Sequence, residues 1–385
     1  MNTPTNSVES GAEKKGCRFC NTSLEHKLVD LGMSPLCESF VPEAKIDSME
    51  PFYPLNVSVC HECYLVQLNE YVSPDEIFTE YAYFSSYSTS WVEHAKNYCH
   101  KMKDRFNLGQ DSLVVELASN DGYLLQHFLP LNVPVLGIEP AANVAKVAEE
   151  KGVTTVVEFF GVELANKLKA DGKSADIIAG NNVLAQVPDL NDFVGGIKIL
   201  LGPDGVCTLE WPHLEKLMDE NQFDTIYHEH FSYFSFVTMD KIAKGHGLRL
   251  FDVEELPTHG GSLRVYMTHK DNTTHEETPA VQALLGRELD RGFTDMKTYA
   301  DYTEKVCQTK RKMLACLIEL KDQGKVICGY GAPGKGNTLL NYCGIGTDFL
   351  DFTVDRNPYK HGMYTPGMHI PIYPVEKIDE VKPDY

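Results

Sequence analysis

Residues 112–128, SLVVELASNDGYLLQHF, read as a strand, a tight loop and a helix. The same unit recurs downstream. VPVLGIEPAANVAKVAEEKG, residues 133–152, gives strand, turn and helix, and ADIIAGNNVLAQVPDLNDFVGGIKILL, residues 175–201, gives them again. GVCTLEWP, residues 205–212, is a further strand. Strands alternating with helices of this length predict a parallel sheet with helices on both faces, an α/β fold. Ligands of such sheets bind outside the carboxyl ends of the strands.

The loop of the first unit runs Glu116-Leu117-Ala118-Ser119-Asn120-Asp121-Gly122 and holds one glycine. A dinucleotide site wants Gly-x-Gly-x-x-Gly there, so that backbone amides can close on a pyrophosphate. An acidic strand end over a small-residue loop suits instead the amino-acid part of S-adenosylmethionine (SAM). Glu139, followed by Pro140, ends the second strand, where a carboxylate can accept hydrogen bonds from both ribose hydroxyls. Asn181 and Asn182 end the third strand, at the pocket rim. On these residues alone, SAM stands beside another kind of nucleotide site, or one that has lost its ligand.

The chain of 385 residues is long enough for two or three domains. A formal net charge of -20 argues against nucleic acid as a partner. No apolar run is long enough to span a membrane. Residues 1–15 read as a polar disordered tail without the apolar stretch of a signal peptide. Eleven cysteines in such a chain point to a reducing compartment, so a cytoplasmic protein is expected.

Four of those cysteines are patterned. CRFC holds Cys17 and Cys20, and CHEC holds Cys60 and Cys63. Two such pairs are the knuckles of a zinc ribbon, and four thiolates close a tetrahedral site with no position open for catalysis. The expected role is structural. Cys37, between the pairs, is expected to be a free thiol. The next segment, residues 71–98, is rich in Tyr and Ser before it turns helical. It could line a substrate pocket or form a domain interface.

TIYHEHFSYFS, residues 225–235, sets His228, Glu229 and His230 in a row among aromatics. A metal site is disfavoured. Residues 228 and 230 of an extended segment can share a face, but no third ligand is evident. A proton-transfer site, or a buried polar cluster, remains. The C-terminal stretch KVICGYGAPGKGNTLL holds Gly329-x-Gly331-x-x-Gly334 between a strand and a helix, with Asp355 at the next strand end. That satisfies the dinucleotide fingerprint. Pro333 and Lys335 are unusual in such a loop, and the chain ends before a full six-stranded unit. HGGSLRVY, residues 259–266, is either a plain turn and strand or a diphosphate site using Ser262 and Arg264. Lys335 and Asn337 are better placed for diphosphate, because glycines let amides and a helix N-terminus approach it.

Taken together, CRFC…CHEC, YAYFSSYSTSW, ELASNDGYLL, GIEP, NNVLAQVPDLNDF, QFDTIYHEHFSYFS, HGGSLRVY, GYGAPGKGNTLLNY and YTPGMHIPI resemble the sugar-nucleotide C-methyltransferases. That family adds a branch methyl to TDP-linked 4-keto-deoxysugars, and the resemblance spans nearly the whole chain. It implies a zinc-ribbon-like domain at 16–75, a Rossmann-like SAM-dependent methyltransferase domain at 76–275 and a second Rossmann-like domain at 276–385. The last would help hold the sugar nucleotide and would not bind NAD. The resemblance implies His230 as the base that removes the proton next to the ketone. Glu229 then orients it or contacts substrate, with Tyr227 and Tyr83 as further catalytic groups and His228 on the substrate. Carbon needs an enolate to be methylated, and a His suits that proton transfer. Two departures stand out: Gln186 replaces an expected His, and the chain stops at EVKPDY where relatives are expected to continue. A monomer is expected. Two other classes stay open on the residues, an NAD-dependent oxidoreductase of sugar nucleotides and a catalytically silent zinc protein that binds them.

Overall fold

The computed structural model describes residues 16–69 and 84–385. Tyr83 lies outside the described residues. The N-terminal part contributes β1 (His26–Ser34), β2 (Val41–Pro42), β3 (Tyr53–Val59) and β4 (Val66–Leu68). β1, β3 and β4 form an antiparallel sheet whose fourth strand comes from residues 232–233, far along the chain. Its apolar face, with Leu28, Leu55, Val57 and Val66, packs on Phe223, Tyr299 and Val306.

The central sheet holds β5 (Val114–Leu117), β6 (Val135–Ile138), β7 (Thr155–Val156), β8 (Ala175–Asn181) and β9 (Leu201–Pro212). After the short β10 (Ser232–Tyr233) of the N-terminal sheet come β11 (Leu248–Leu256) and β12 (Ser262–His269). The strand order is β11-β12-β9-β8-β5-β6-β7. β5 to β9 run parallel, as the repeated units predict. β12 does not: it lies antiparallel between β9 and β11. Only residues 257–261 join β11 to β12, and so short a connection can close only an antiparallel pair. A second difference concerns residues 123–132. In place of the expected helix stand two short 3-10 turns, Leu125–His127 and Leu129–Leu131. Pro130 lacks an amide hydrogen and fixes its φ, which stops an α-helix from extending through that point.

The helix Thr89–Phe106 starts where the Ser88 hydroxyl accepts the Trp91 amide hydrogen. The C-terminal part contributes β13 (Cys328–Tyr330), β14 (Phe352–Val354), β15 (Met363–Tyr364) and β16 (Ile372–Tyr373). Three of them make the parallel sheet β13-β14-β16, and β15 pairs with β2. Among the described residues no helix is long and apolar enough to cross a membrane.

The candidate active site

β5 and β8 are neighbours whose connections leave in opposite directions, so their carboxyl ends open a crevice. Ala118 (φ 55°), Asn120 (φ 48°) and Gly122 (φ 74°) all take left-handed backbone in the loop that follows β5. For Ala118 this is strained, and such strain gathers at functional sites. Glu139 holds the loop from below: its two carboxylate oxygens accept the Asn120 and Ala141 amide hydrogens at 2.9 Å each. Residues 85 and 86 cover it from above. The Ser85 amide donates to Asn120 Oδ1 at 2.9 Å, and Lys151 Nζ reaches Ser86 Oγ at 2.6 Å and Asp121 Oδ2 at 3.2 Å.

Buried polar atoms without partners gather on this rim. Glu116 Oε2, Ser119 Oγ, Asp121 Oδ1, Asn182 Oδ1 and both amide atoms of Asn181 meet no partner at good hydrogen-bond geometry among the described residues. Native proteins leave few such atoms unsatisfied, so this rim fits a polar ligand. The set of acceptors and amides suits the hydroxyls, ammonium and carboxylate of SAM. Burial pushes the Glu116 and Glu139 carboxyls up. Pro140 follows Glu139 at the end of β6.

The segment around His230 is a turn rather than an extended stretch in which residues 228 and 230 would share a face. The His230 amide donates to the Tyr227 carbonyl at 2.9 Å, closing residues 227–230 into a β-turn. Residues i and i+3 of the turn therefore meet. The Tyr227 and His230 rings lie 4.0 Å apart, and Tyr227 Oη is 2.9 Å from His230 Nε2. His230 Nδ1 is 3.0 Å from the Thr225 carbonyl, which can only accept. The proton thus sits on Nδ1, and Nε2 accepts from the tyrosine. Burial holds the His230 imidazole down to about 4, so it is neutral at physiological pH.

Residues 228 and 229 point the other way, into the N-terminal part. His228 Nε2 lies 3.3 Å from the Pro54 carbonyl and its ring is edge-on to Tyr53. Glu229 lies 3.7 Å from Cys37 Sγ, and burial, with Glu38 nearby, pushes it up to about 7. Neither residue is brought to the Tyr227–His230 pair. Cys37 is a free, buried thiol, as expected.

The four patterned cysteines converge. Their ligand atoms lie within 4.8 Å of one another, with Cys17–Cys63 at 3.4 Å and Cys20–Cys60 at 3.5 Å. A zinc tetrahedron with Zn–S of about 2.3 Å has edges of about 3.8 Å, so the donor set fits zinc. Cys17, Cys60 and Cys63 pack into the main hydrophobic core with Phe234 and Phe236.

Three families of known proteins match successive parts of the chain. "Putative zinc binding domain" matches residues 17–78, "Methyltransferase domain" 91–253 and "C-methyltransferase C-terminal domain" 257–385. C-methyltransferase NovU of Streptomyces niveus is 34% identical over 369 residues, covering 96% of this chain and 88% of that one. The chain belongs to this C-methyltransferase family. Among solved structures, the SAM-bound magnesium protoporphyrin IX methyltransferase of Synechocystis PCC 6803 is 14% identical, covers 46% of this chain and 79% of its own, and has a TM-score of 0.36. A Burkholderia thailandensis 1,6-didemethyltoxoflavin-N1-methyltransferase is 16% identical over 54% of this chain and 95% of its own, with a TM-score of 0.39.

As a SAM-dependent C-methyltransferase, the protein uses its remaining polar residues in ways the sequence did not reveal. Arg264 is directed inward. Its Nη2 donates to Glu210 Oε2 at 2.7 Å, and its guanidinium lies 4.8 Å from the centre of the Tyr98 ring. Burial alone would raise Glu210, but His94 and Arg264 hold it low. Ser262 Oγ donates to the Thr258 carbonyl, and Asn337 Nδ2 donates to the Cys37 carbonyl at 2.6 Å. Each of these three side chains has a partner inside the protein, while Arg264 Nε and Asn337 Oδ1 have none among the described residues. Lys335 differs: it is half-buried, and its charge lies close enough to His230 and His259 to disfavour their protonation. Burial lowers Lys335 itself, with Asp224 opposing.

The C-terminal fingerprint is filled by the protein. Gly334 starts the helix Gly334–Cys343, and its backbone amide helps to lower the Glu38 carboxyl, which burial raises. A Cβ on Gly334 would sit 2.7 Å from Glu38 Oε1 and 3.0 Å from Cys37 Sγ. A carboxylate beside that helix N-terminus opposes a pyrophosphate there.

Two residues were passed over in the sequence. His259, left-handed at φ 53°, has Nε2 3.1 Å from Asn182 Nδ2 and packs edge-on to Trp91. His94 stacks on Trp91 and meets Glu210 at 3.1 Å. His259 opens the quoted HGGS stretch, so the motif was visible. Its partner Asn182, 77 positions upstream, was not.

Proposed function

We propose that this C-methyltransferase acts on a nucleotide-diphosphate 4-keto-deoxysugar, TDP-linked, and places the methyl on C3. The chain divides into a zinc domain at 16–75, a catalytic domain at 76–275 and a sugar-nucleotide domain at 276–385. The Tyr227–His230 pair carries the reading. A C–H bond becomes acidic enough for enzymatic removal when it adjoins a ketone, and the pair is a neutral imidazole hydrogen-bonded to a tyrosine hydroxyl. His230 is buried and both its ring nitrogens are engaged. The C3 proton therefore passes to Tyr227 Oη while the tyrosine's own proton moves to His230 Nε2. The C3–H bond breaks, and its electron pair spreads over C3, C4 and the ketone oxygen as an enolate. The Lys335 charge, which disfavours a protonated His230, favours the negative charge that grows on the enolate oxygen. SAM, when bound, supplies the methyl group that the enolate carbon takes. Glu139, Asn181, Asn182 and the loop 116–122 hold SAM at the sheet edge. The four-thiolate zinc site is structural.

Support comes from the relative NovU, a C-methyltransferase, and from the Tyr227–His230 pair, whose next residue, Phe231, bonds to Ala185 in the loop that continues from Asn182. The test is direct. Incubation with SAM and a TDP-4-keto-6-deoxyhexose, followed by mass spectrometry, is expected to show a sugar nucleotide heavier by one methyl group. A product methylated on oxygen, or no product with any 4-keto sugar nucleotide, rejects the reading.

A further inference from the structure

We propose that Arg18, inside the first zinc knuckle, is a positioning residue that fixes the His230 turn in place. The inference rests on reading His230 as the base.

The observations form one chain of contacts. Gln67 is buried, and its Nε2 donates to Cys17 Sγ at 3.1 Å while its Oε1 accepts the Arg18 amide hydrogen at 3.0 Å. The backbone of Arg18 is thus pinned to the metal-ligating sulfur. Its guanidinium reaches away from the knuckle. Nη1 donates to the Phe231 carbonyl at 3.1 Å, and the guanidinium lies 5.4 Å from the centre of the Phe231 ring. Phe231 is the residue immediately after His230.

The same carbonyl accepts the Leu68 amide hydrogen at 2.9 Å, and the Phe231 amide donates to the Ala185 carbonyl at 2.7 Å. One residue beside the base is therefore tied to three places. They are the first knuckle, the strand that follows the second knuckle, and the loop beyond β8 that begins with Asn182. β4 and β10 then pair in register, Ser232 with Gln67 and Tyr233 with Val66. Of these ties only Arg18 brings a charge, and charge-assisted hydrogen bonds are the stronger kind. Its planar fork bonds and stacks at once, which a lysine cannot do. The geometry links the four-cysteine centre to the base, so the N-terminal domain sets the site as well as closing the fold. A displacement of about 1 Å at a catalytic group can reduce rate about 100-fold.

Arg18→Ala and Arg18→Lys in the full chain test this beside His230→Ala. Five quantities are measured: zinc per chain, affinity for S-adenosylhomocysteine, kcat and KM for a TDP-4-keto-6-deoxyhexose, and the nitrogen NMR signals of the His230 ring. Arg18→Ala is expected to keep one zinc and parental cofactor affinity. Its kcat should fall by about 10–100-fold with little change in KM, and the single Nδ1–H tautomer of His230 should give way to a mixture. Arg18→Lys should recover part of kcat. Parental kcat with an unchanged His230 signal in Arg18→Ala overturns the proposal. So does a loss of zinc in proportion to activity, which would make Arg18 a support of the metal site alone. Parental activity in His230→Ala instead rejects the base reading, independently of Arg18.

Discussion

Glu229 and His230 are adjacent, and the turn sends them into different surroundings with opposite consequences for pH. The Glu229 carboxyl is raised to about 7, first by burial and then by Glu38. Its protonated form is favoured in the folded state. The stability this gives is fully present below the usual glutamate value of about 4.3 and is lost as pH rises through 7. Glu229→Gln, neutral at every pH, should remove that loss. In urea unfolding at pH 8 the variant should exceed the parent by about 1–3 kcal/mol, with little difference at pH 4.5. Equal pH dependence in both proteins rejects the buried-acid assignment. His230 is lowered to about 4, so its neutral form is favoured on folding, and stability is lost as pH falls from about 6.5 toward 4. At the SAM rim, Glu139→Ala should weaken SAM binding by about 1.5–3 kcal/mol, since a charged acceptor is lost. Calorimetry with Asp355→Ala, at the look-alike strand end, should show parental SAM affinity. At this scale much of the rim was legible, because an acid and small polar residues at strand ends follow from the α/β period. The division of 227–230 was not. Four residues spelling Tyr-His-Glu-His fit a strand or a turn equally well, and the deciding bond runs between the backbones of residues 227 and 230.

At the scale of elements, the two knuckles and β4 carry the base segment as the fourth strand of their sheet. Metal loss should therefore reach beyond the first sixty residues. Cys63→Ser is expected to release zinc and lower the melting temperature, because structural zinc contributes folding free energy directly. One zinc per chain and unchanged melting in that variant would contradict the site. The strands β5, β6, β8 and β9 were readable from their apolar runs and flanking loops. The helix expected after Gly122 is replaced by two 3-10 turns, and Pro130, just past the expected unit, stops an α-helix from running on. The antiparallel β12 was hidden as well. Its direction depends on how residues 257–261 turn, and its partner for Arg264 is Glu210, across the sheet.

At the scale of the molecule, three parts meet around the turn: the zinc-bearing sheet, the strand ends of the central sheet, and the helix Gly334–Cys343. The last meeting explains why a literal dinucleotide fingerprint serves another end here. Gly334 is needed for close approach of Cys37 and Glu38, residues almost three hundred positions away, which no local pattern can announce. Lys335 follows directly, and its charge disfavours protonation of His230. The central claim is that Tyr227 and His230 remove a proton from carbon before methyl transfer. Solvent-deuterium exchange at C3 of a TDP-4-keto-6-deoxyhexose, with S-adenosylhomocysteine bound, isolates that step. The parent enzyme should exchange the proton, and His230→Ala should do so about 10²–10⁴-fold more slowly with cofactor affinity intact. Exchange at the parental rate in His230→Ala would contradict the account.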